Sequence, residues 1–214
     1  MPRQPAPSPA LVLLVRHGRT ATTGVTLPGR APGLHLSPAG RRQAAALAAR
    51  LARLERVTAV YTSPLERARE TAAPIAEARK LPLRVEAGLN ECDFGQWTGA
   101  RLRALARRPE WRVVQRYPSG FRFPGGESFT EMQARITSTL AGLVARHPGG
   151  TIVAVSHADP IKAAVAHALG THLDLFQRIA VSPGSVTTIA YRPDGPTVVT
   201  LNWVDGDLVP PRPG

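Results

Sequence analysis

Three short polar groups in this sequence are placed to do chemistry together. The apolar run Leu11–Val15 ends in Arg16-His17-Gly18. Val57–Tyr61 is followed by Thr62-Ser63-Pro64-Leu65-Glu66-Arg67, and Thr151–Val155 by Ser156-His157-Ala158-Asp159. Histidine changes charge near neutrality and offers two distinct ring nitrogens, so it serves as nucleophile, base or metal ligand. Arginine forks pair with phosphate oxygens, and the free N–H groups of a helix start add to such a site. Together the groups suit capture of a phosphoryl group. Singly they mean little: His17 serves equally as a satisfied structural histidine, Arg16 as a surface charge and His157 as the cap of a strand end. A metal held by His17, His157 and Asp159 is disfavoured because the nearby arginines repel a cation, and no metal or cofactor is expected.

The elements that must position these groups alternate. Leu11–Val15, Val57–Tyr61 and Thr151–Val155 are short continuous apolar runs, as expected of strands covered on both faces. Val186–Ala190 and Thr197–Leu201 read as later strands joined through the turn signal Arg192-Pro-Asp-Gly-Pro196. Ser37-Pro38 opens a helix whose Leu47, Leu51 and Leu54 form a core-facing stripe. Ser63-Pro64-Leu65-Glu66 and Ser128-Phe-Thr-Glu131 read as capping boxes, the second opening a helix to about Arg146. Asp159 reads as the cap of a further helix, with Pro160 behind it, that ends near Gly170. Strand and helix in turn predict an α/β three-layer sandwich: a mostly parallel central sheet flanked by helices. In such sheets ligands bind beyond the carboxyl ends of the strands. If the three polar-ended strands are parallel neighbours, their groups share one crevice. Residues 92–127 break the rhythm and read as short helices and loop forming a lid-like insertion over one end of the sheet. We expect one domain over 11–208, with flexible ends at 1–10 and 209–214.

Composition narrows the partners. The chain has 214 residues, 43% hydrophobic, which suits a globular core. No run is long and apolar enough to span a bilayer, and Leu11–Val15 is too short for the apolar part of a signal peptide, so a cytoplasmic protein is expected. The net charge is +12, and only Lys80 and Lys162 among the basic residues are lysines. That balance suits anionic partners, either nucleic acid or phosphorylated small molecules. The aromatics are few and gather in 92–127 instead of interleaving with a basic stripe, so nucleic acid is not expected. Arg101, Arg103, Arg107, Arg108, Arg112 and Arg122 lie in that segment, either to meet further negative charge or as solvated surface. Cys92 is the only cysteine, so no internal disulfide forms; a buried thiol without a role is expected of it. Neither a Gly-x-Ser-x-Gly elbow nor a Gly-x-x-x-x-Gly-Lys loop occurs. His35, His147, His167 and His172 lack the strand-end setting and read as surface or helix residues.

Leu14-Val-Arg-His-Gly-Arg-Thr20 resembles the RHG signature of the histidine phosphatase superfamily, which includes the cofactor-dependent phosphoglycerate mutases. Four further segments match in order: Thr62–Thr71, Leu89–Gly99, Phe123–Ser128 and Val155–His157. The resemblance runs from about residue 11 to 203. It implies a phosphoglycerate mutase-like fold and a phosphomonoesterase acting on a small phosphorylated substrate. His17 would be the nucleophile, Arg16 and Arg67 would bind the phosphoryl oxygens, His157 would complete the pocket and Glu91 would be the proton donor. Gly18, Thr23 and Arg30 are further substrate-contacting candidates. Two positions depart from the commonest pattern: Arg19 stands where many members have Glu, and Thr23 where many have Asn. A phosphomutase is the alternative reaction and a non-catalytic binder of phosphorylated ligands or nucleic acid the alternative class. A homodimer is left open.

Overall fold

The computed structural model describes residues 8–205. In chain order it contains β1 (Ala10–Arg16), α1 (Pro38–Leu51), β2 (Val57–Thr62), α2 (Glu66–Arg79), β3 (Leu83–Val85), α3 (Leu102–Leu105), α4 (Pro109–Arg116), α5 (Phe129–Arg146), β4 (Thr151–Ser156), α6 (Ala158–Ala168), β5 (Val186–Arg192) and β6 (Gly195–Trp203). Four short 3-10 turns lie between them. The strands form one sheet in the order β3-β2-β4-β1-β5-β6. β1, β2, β3 and β4 are parallel, and β5 alone runs against the rest.

The period of two along each strand divides the core into two layers. Val12 and Leu14 of β1 join Ile152 and Ala154 of β4 on the face covered by Met132, Ile136 and Leu140 of α5 and Ile161 and Val165 of α6. Leu13 and Val15 join Val153 and Val155 on the other face, under Leu47 and Leu51 of α1 and Ala72 and Ile75 of α2. Helices on both faces explain why β4 is buried at every position. Burial of each such side chain contributes about 1.5–3 kcal/mol. No helix among the described residues is long and apolar enough to cross a membrane.

Register sets the site. Arg16 pairs with Ser156 and Thr62 with Val155, so β1, β2 and β4 end at nearly one level as adjacent parallel strands. The condition for a shared crevice is met.

Several boundaries differ from expectation, each for a local reason. Ser63 does not cap α2: the helix starts at Glu66 behind Leu65, with no side-chain cap. Ser63 Oγ is committed elsewhere, to Asn90 and His157. Asp159 is not a cap either; His157 holds that position, and Asp159 sits in the first turn of α6, 3.6 Å from Lys162 Nζ. Leu54 lies beyond the end of α1 yet packs on the same core layer. The turn before β6 is tighter than expected, only Pro193-Asp194, so β6 begins at Gly195 and runs to Trp203. β3 was not anticipated: it has three residues on a sheet edge, half-exposed or exposed, and leaves no readable pattern. Ser37 and Ser128 do cap as expected, the latter in a complete capping box with Glu131. The expected flexible ends fall almost entirely outside the described residues.

Candidate active site

His17 leaves β1 at the sheet's carboxyl edge and is 5% exposed. Its Nδ1 lies 2.7 Å from the Gly18 carbonyl oxygen, and its Nε2 is 3.3 Å from Arg67 Nε. Both partners restrict the tautomer. A carbonyl oxygen only accepts and a guanidinium only donates. The hydrogen therefore sits on Nδ1, and Nε2 carries a lone pair that accepts from the Arg67 Nε–H. Burial, with Arg67 and Arg16 adding to it, drives the pKa of His17 down to about 3. The ring is neutral at physiological pH.

Arg67 comes from the first turn of α2 and is fully buried. Its Nη2 donates to the Gly29 carbonyl at 2.8 Å, while Nη1 has no partner among the described residues. Arg16 Nη1 donates to the Val181 carbonyl at 2.6 Å, and its Nε is likewise buried without a partner among the described residues. Burial lowers the pKa of both guanidiniums, though such groups stay charged. The His157 ring centroid lies 5.1 Å from that of His17. Its Nε2 meets Ser63 Oγ at 2.8 Å and its Nδ1 has no partner among the described residues. Burial, then Arg67, holds its pKa well below the usual histidine range. Buried polar groups left unpaired cost about 1–3 kcal/mol each. Three in one crevice, two of them on cations, make a site built for an anion.

Glu91 occupies an irregular stretch after Leu89 and is 7% exposed. One carboxylate oxygen accepts from the Cys92 N–H at 2.9 Å. Burial, reinforced by the charge of Asp159, pushes its pKa up to about 7 despite the opposing arginines. A carboxyl of this kind carries a proton near neutrality, as an acid catalyst must.

The remaining candidates divide. Gly18 approaches α1 so closely that a Cβ there would lie 2.7 Å from the Gly40 carbonyl oxygen, and its N–H donates to Thr71 Oγ1 at 3.0 Å. Thr23 Oγ1 accepts from the Thr20 N–H at 2.9 Å, so its hydroxyl is engaged in the local turn. Arg30 donates to the Glu91 carbonyl at 2.8 Å and pairs with Glu127 at 2.8 Å. It is a tie beneath Glu91 instead of a free cation. Ser63, Thr71, Asn90, Glu127 and Arg135 also contact this constellation. Only the resemblance pointed at Glu127. Arg135 had no signal, since it lies 44 residues from Glu91 within an ordinary helix.

Of the residues outside the crevice, Arg108 lies 5.1 Å over the Trp97 ring and Arg122 pairs with Glu131, so both have structural partners. All six arginines named in 92–127 are exposed. His35 pairs with Glu70, and His147 ends α5 with its ring on the Tyr61 hydroxyl. His167 lies in the last turn of α6, and His172 precedes a 3-10 turn. Cys92 is buried and its thiol pKa is driven up by burial, which leaves no thiolate to react.

Comparison with known proteins agrees with this geometry. The family model for the histidine phosphatase superfamily, branch 1, matches residues 12–204. A bifunctional protein of Mycobacterium tuberculosis is 34% identical over 197 residues, covering 91% of this chain and 54% of that protein. The chain thus spans about half the length of the first curated relatives it matches. Phosphoserine phosphatase 1 of Hydrogenobacter thermophilus is 32% identical over 204 residues, covering 89% of this chain and 91% of that one. The native structure of a mycobacterial glucosyl-3-phosphoglycerate phosphatase superposes with a TM-score of 0.80 at 27% identity, covering 90% of this chain and 98% of that one. A match that begins in the first core strand and closes beyond the last, supported by relatives along nine-tenths of the chain, makes this protein a member of branch 1 of the histidine phosphatase superfamily.

Proposed function

We propose that the protein hydrolyses small phosphomonoesters through a phosphohistidine at His17. The carrying observation is the fixed tautomer: Nδ1–H is held by the Gly18 carbonyl, and the unprotonated Nε2 accepts from Arg67 Nε, a long bond that an incoming phosphoryl group would replace. The relatives described above are named for phosphoserine and glucosyl-3-phosphoglycerate, both phosphomonoesters.

The chemistry runs in two transfers. Arg16, Arg67 and His157 bind the phosphoryl oxygens through their unpartnered nitrogens. In this reading the Ser63 hydroxyl turns from Asn90 Oδ1 to donate to His157 Nε2, which puts the ring hydrogen on Nδ1 and leaves the Nδ1–H for the phosphoryl group. The cations neutralise charge on the transferring group. His17 Nε2 attacks phosphorus in line as the ester P–O bond breaks, and the proton of Glu91 passes to the leaving oxygen. Water then attacks the phosphohistidine and gives its proton to Glu91, while the N–P bond breaks and inorganic phosphate leaves. General acid help of this kind contributes about 10²–10⁴-fold. No step draws on a metal, since arginine supplies the charge. In this reading one domain carries the site, and the segment 92–127 covers it, tethered through the Arg30–Asp93 and Arg30–Glu127 pairs.

The test compares wild type with His17→Ala in EDTA on p-nitrophenyl phosphate and a panel of phosphoserine, 3-phosphoglycerate and glucosyl-3-phosphoglycerate. The expected result is release of inorganic phosphate by wild type and its loss in the variant. Equal rates would refute the assignment. Isomerisation of 3-phosphoglycerate without inorganic phosphate would convert it to a mutase.

A further inference from the structure

The stretch that carries Glu91 has no regular structure of its own. Residues 90–94 belong to neither helix nor strand, so no hydrogen-bond ladder holds the proton donor. Its backbone groups must be paired by something else. The carbonyls of Asn90 and Glu91 and the Asp93 N–H are paired by side chains from elsewhere in the chain. Arg135 of α5 donates Nη1 to the Gly88 carbonyl at 2.8 Å and to the Asn90 carbonyl at 2.9 Å, and Nη2 to the Glu91 carbonyl at 3.3 Å. Arg30 Nε donates to that same Glu91 carbonyl at 2.8 Å. Glu127 joins the two guanidiniums: its oxygens meet Arg135 at 2.7 and 2.9 Å and Arg30 at 2.8 Å. The side chains are 31%, 17% and 21% exposed for Arg30, Glu127 and Arg135, so solvent screens the network only in part. Burial alone would raise the pKa of Glu127, but its hydrogen bonds to Arg135 and the Asp93 N–H outweigh that and keep it anionic.

The clamp also reaches the phosphoryl side. Arg30 follows Gly29, whose carbonyl accepts from Arg67 Nη2 at 2.8 Å. One turn of chain thus touches the arginine beside the nucleophile and the backbone of the acid.

Building on the phosphatase reading above, we propose that Arg135, Glu127 and Arg30 form a positioning clamp that sets where Glu91 presents its proton to the leaving oxygen. None of the three transfers a proton or is required to touch substrate. Lysine at position 135 keeps the charge but has one nitrogen and cannot bridge three carbonyls and a carboxylate.

The experiment is a double-mutant cycle in the full-length chain. Arg135→Lys, Glu127→Gln, Glu91→Gln and the two pairings with Glu91→Gln are assayed on two substrates. One is the alkyl phosphomonoester turned over fastest in the panel, whose leaving oxygen needs a proton. The other is p-nitrophenyl phosphate, whose phenolate leaves without one. Displacement of a catalytic group by about 1 Å costs about 10²-fold. The expected loss for Arg135→Lys and Glu127→Gln is read in kcat/KM, which reports the first transfer and not the dephosphorylation that Glu91 also serves as base, and is about 10²-fold on the alkyl ester and below about threefold on the nitrophenyl ester. In the Glu91→Gln background neither substitution should cost anything further. Equal losses on both substrates, or full additivity with Glu91→Gln, would overturn the clamp while leaving the phosphatase reading in place. A Glu91→Gln variant at wild-type rates on both substrates would instead remove the acid assignment and the clamp with it. Should Arg135→Lys fail to fold by circular dichroism, Glu127→Gln and Arg30→Lys carry the same cycle.

Discussion

At the residue scale, opposite shifts in two side chains define the working pH. His17 is held neutral down to about pH 3, so its nucleophilicity does not limit the rate at ordinary pH. The proposed first transfer draws on the proton of Glu91, whose pKa is raised to about 7. Hydrolysis of an alkyl phosphomonoester should therefore fall as pH rises through that value, while that of p-nitrophenyl phosphate stays flatter. A matched pair of kcat/KM profiles, which report the first transfer alone, checks this, and identical basic limbs would contradict it. The same shift bears on stability. Because the folded state holds the Glu91 proton more tightly than the unfolded chain, Glu91 weakens folding as pH rises from its ordinary value near 4.5 toward 7. Glu91→Gln should raise Tm at pH 8 relative to wild type and lose that advantage at pH 4, as calorimetry would read. Arg67→Lys should lower kcat/KM on every substrate by about 10²-fold or more, since the planar fork is lost at a fully buried site.

At the element scale, the site depends on strand ends and on close backbone approach. The His17 turn abuts the start of α1. A Cβ at Gly40 would lie 2.0 Å from the Arg19 carbonyl oxygen. Gly40→Ala should destabilise the fold by about 1–3 kcal/mol and lower activity with it, measured by urea unfolding and kcat together. This scale also shows what can be read from sequence. Arg16, His17, Ser156 and His157 were legible because they follow short apolar runs, and parallel pairing in register placed them side by side. Arg67 was legible from the motif at the end of β2, although the helix start was misplaced by reading Ser63 as a cap. Ser63 has the residue type of a cap but is drawn away by His157 and Asn90. Glu91 had no periodicity or spacing to mark it and came only from the resemblance. Arg135 and Glu127 act through tertiary contacts across an irregular stretch, which no local pattern encodes. Arg30, read from sequence as a substrate contact, donates in the structure to the Glu91 carbonyl and pairs with Glu127 and Asp93, contacts that no local pattern encodes.

At the scale of the whole molecule, a net charge of +12 sits around an anion-binding crevice. Exposed charges act over about 8–10 Å at moderate salt, and a field of one sign raises the encounter rate of an oppositely charged ligand. kcat/KM for a dianionic phosphomonoester should fall as ionic strength rises, with kcat nearly unchanged; a flat response would show that the surface arginines do not steer substrate. The expectation of flanking helices on a mostly parallel sheet holds in the structure, with β5 as the antiparallel strand. Two core layers pack β1, β2 and β4 from both sides beneath the crevice.

The central claim is that the Nε2 of residue 17 accepts the phosphoryl group. Rapid quenching of a single turnover with ³²P-labelled substrate addresses it most directly. The account predicts a transient adduct that is acid-labile, stable in base and mapped to the peptide containing His17. Turnover with no such adduct at any quench time, or an adduct on another residue, would contradict it.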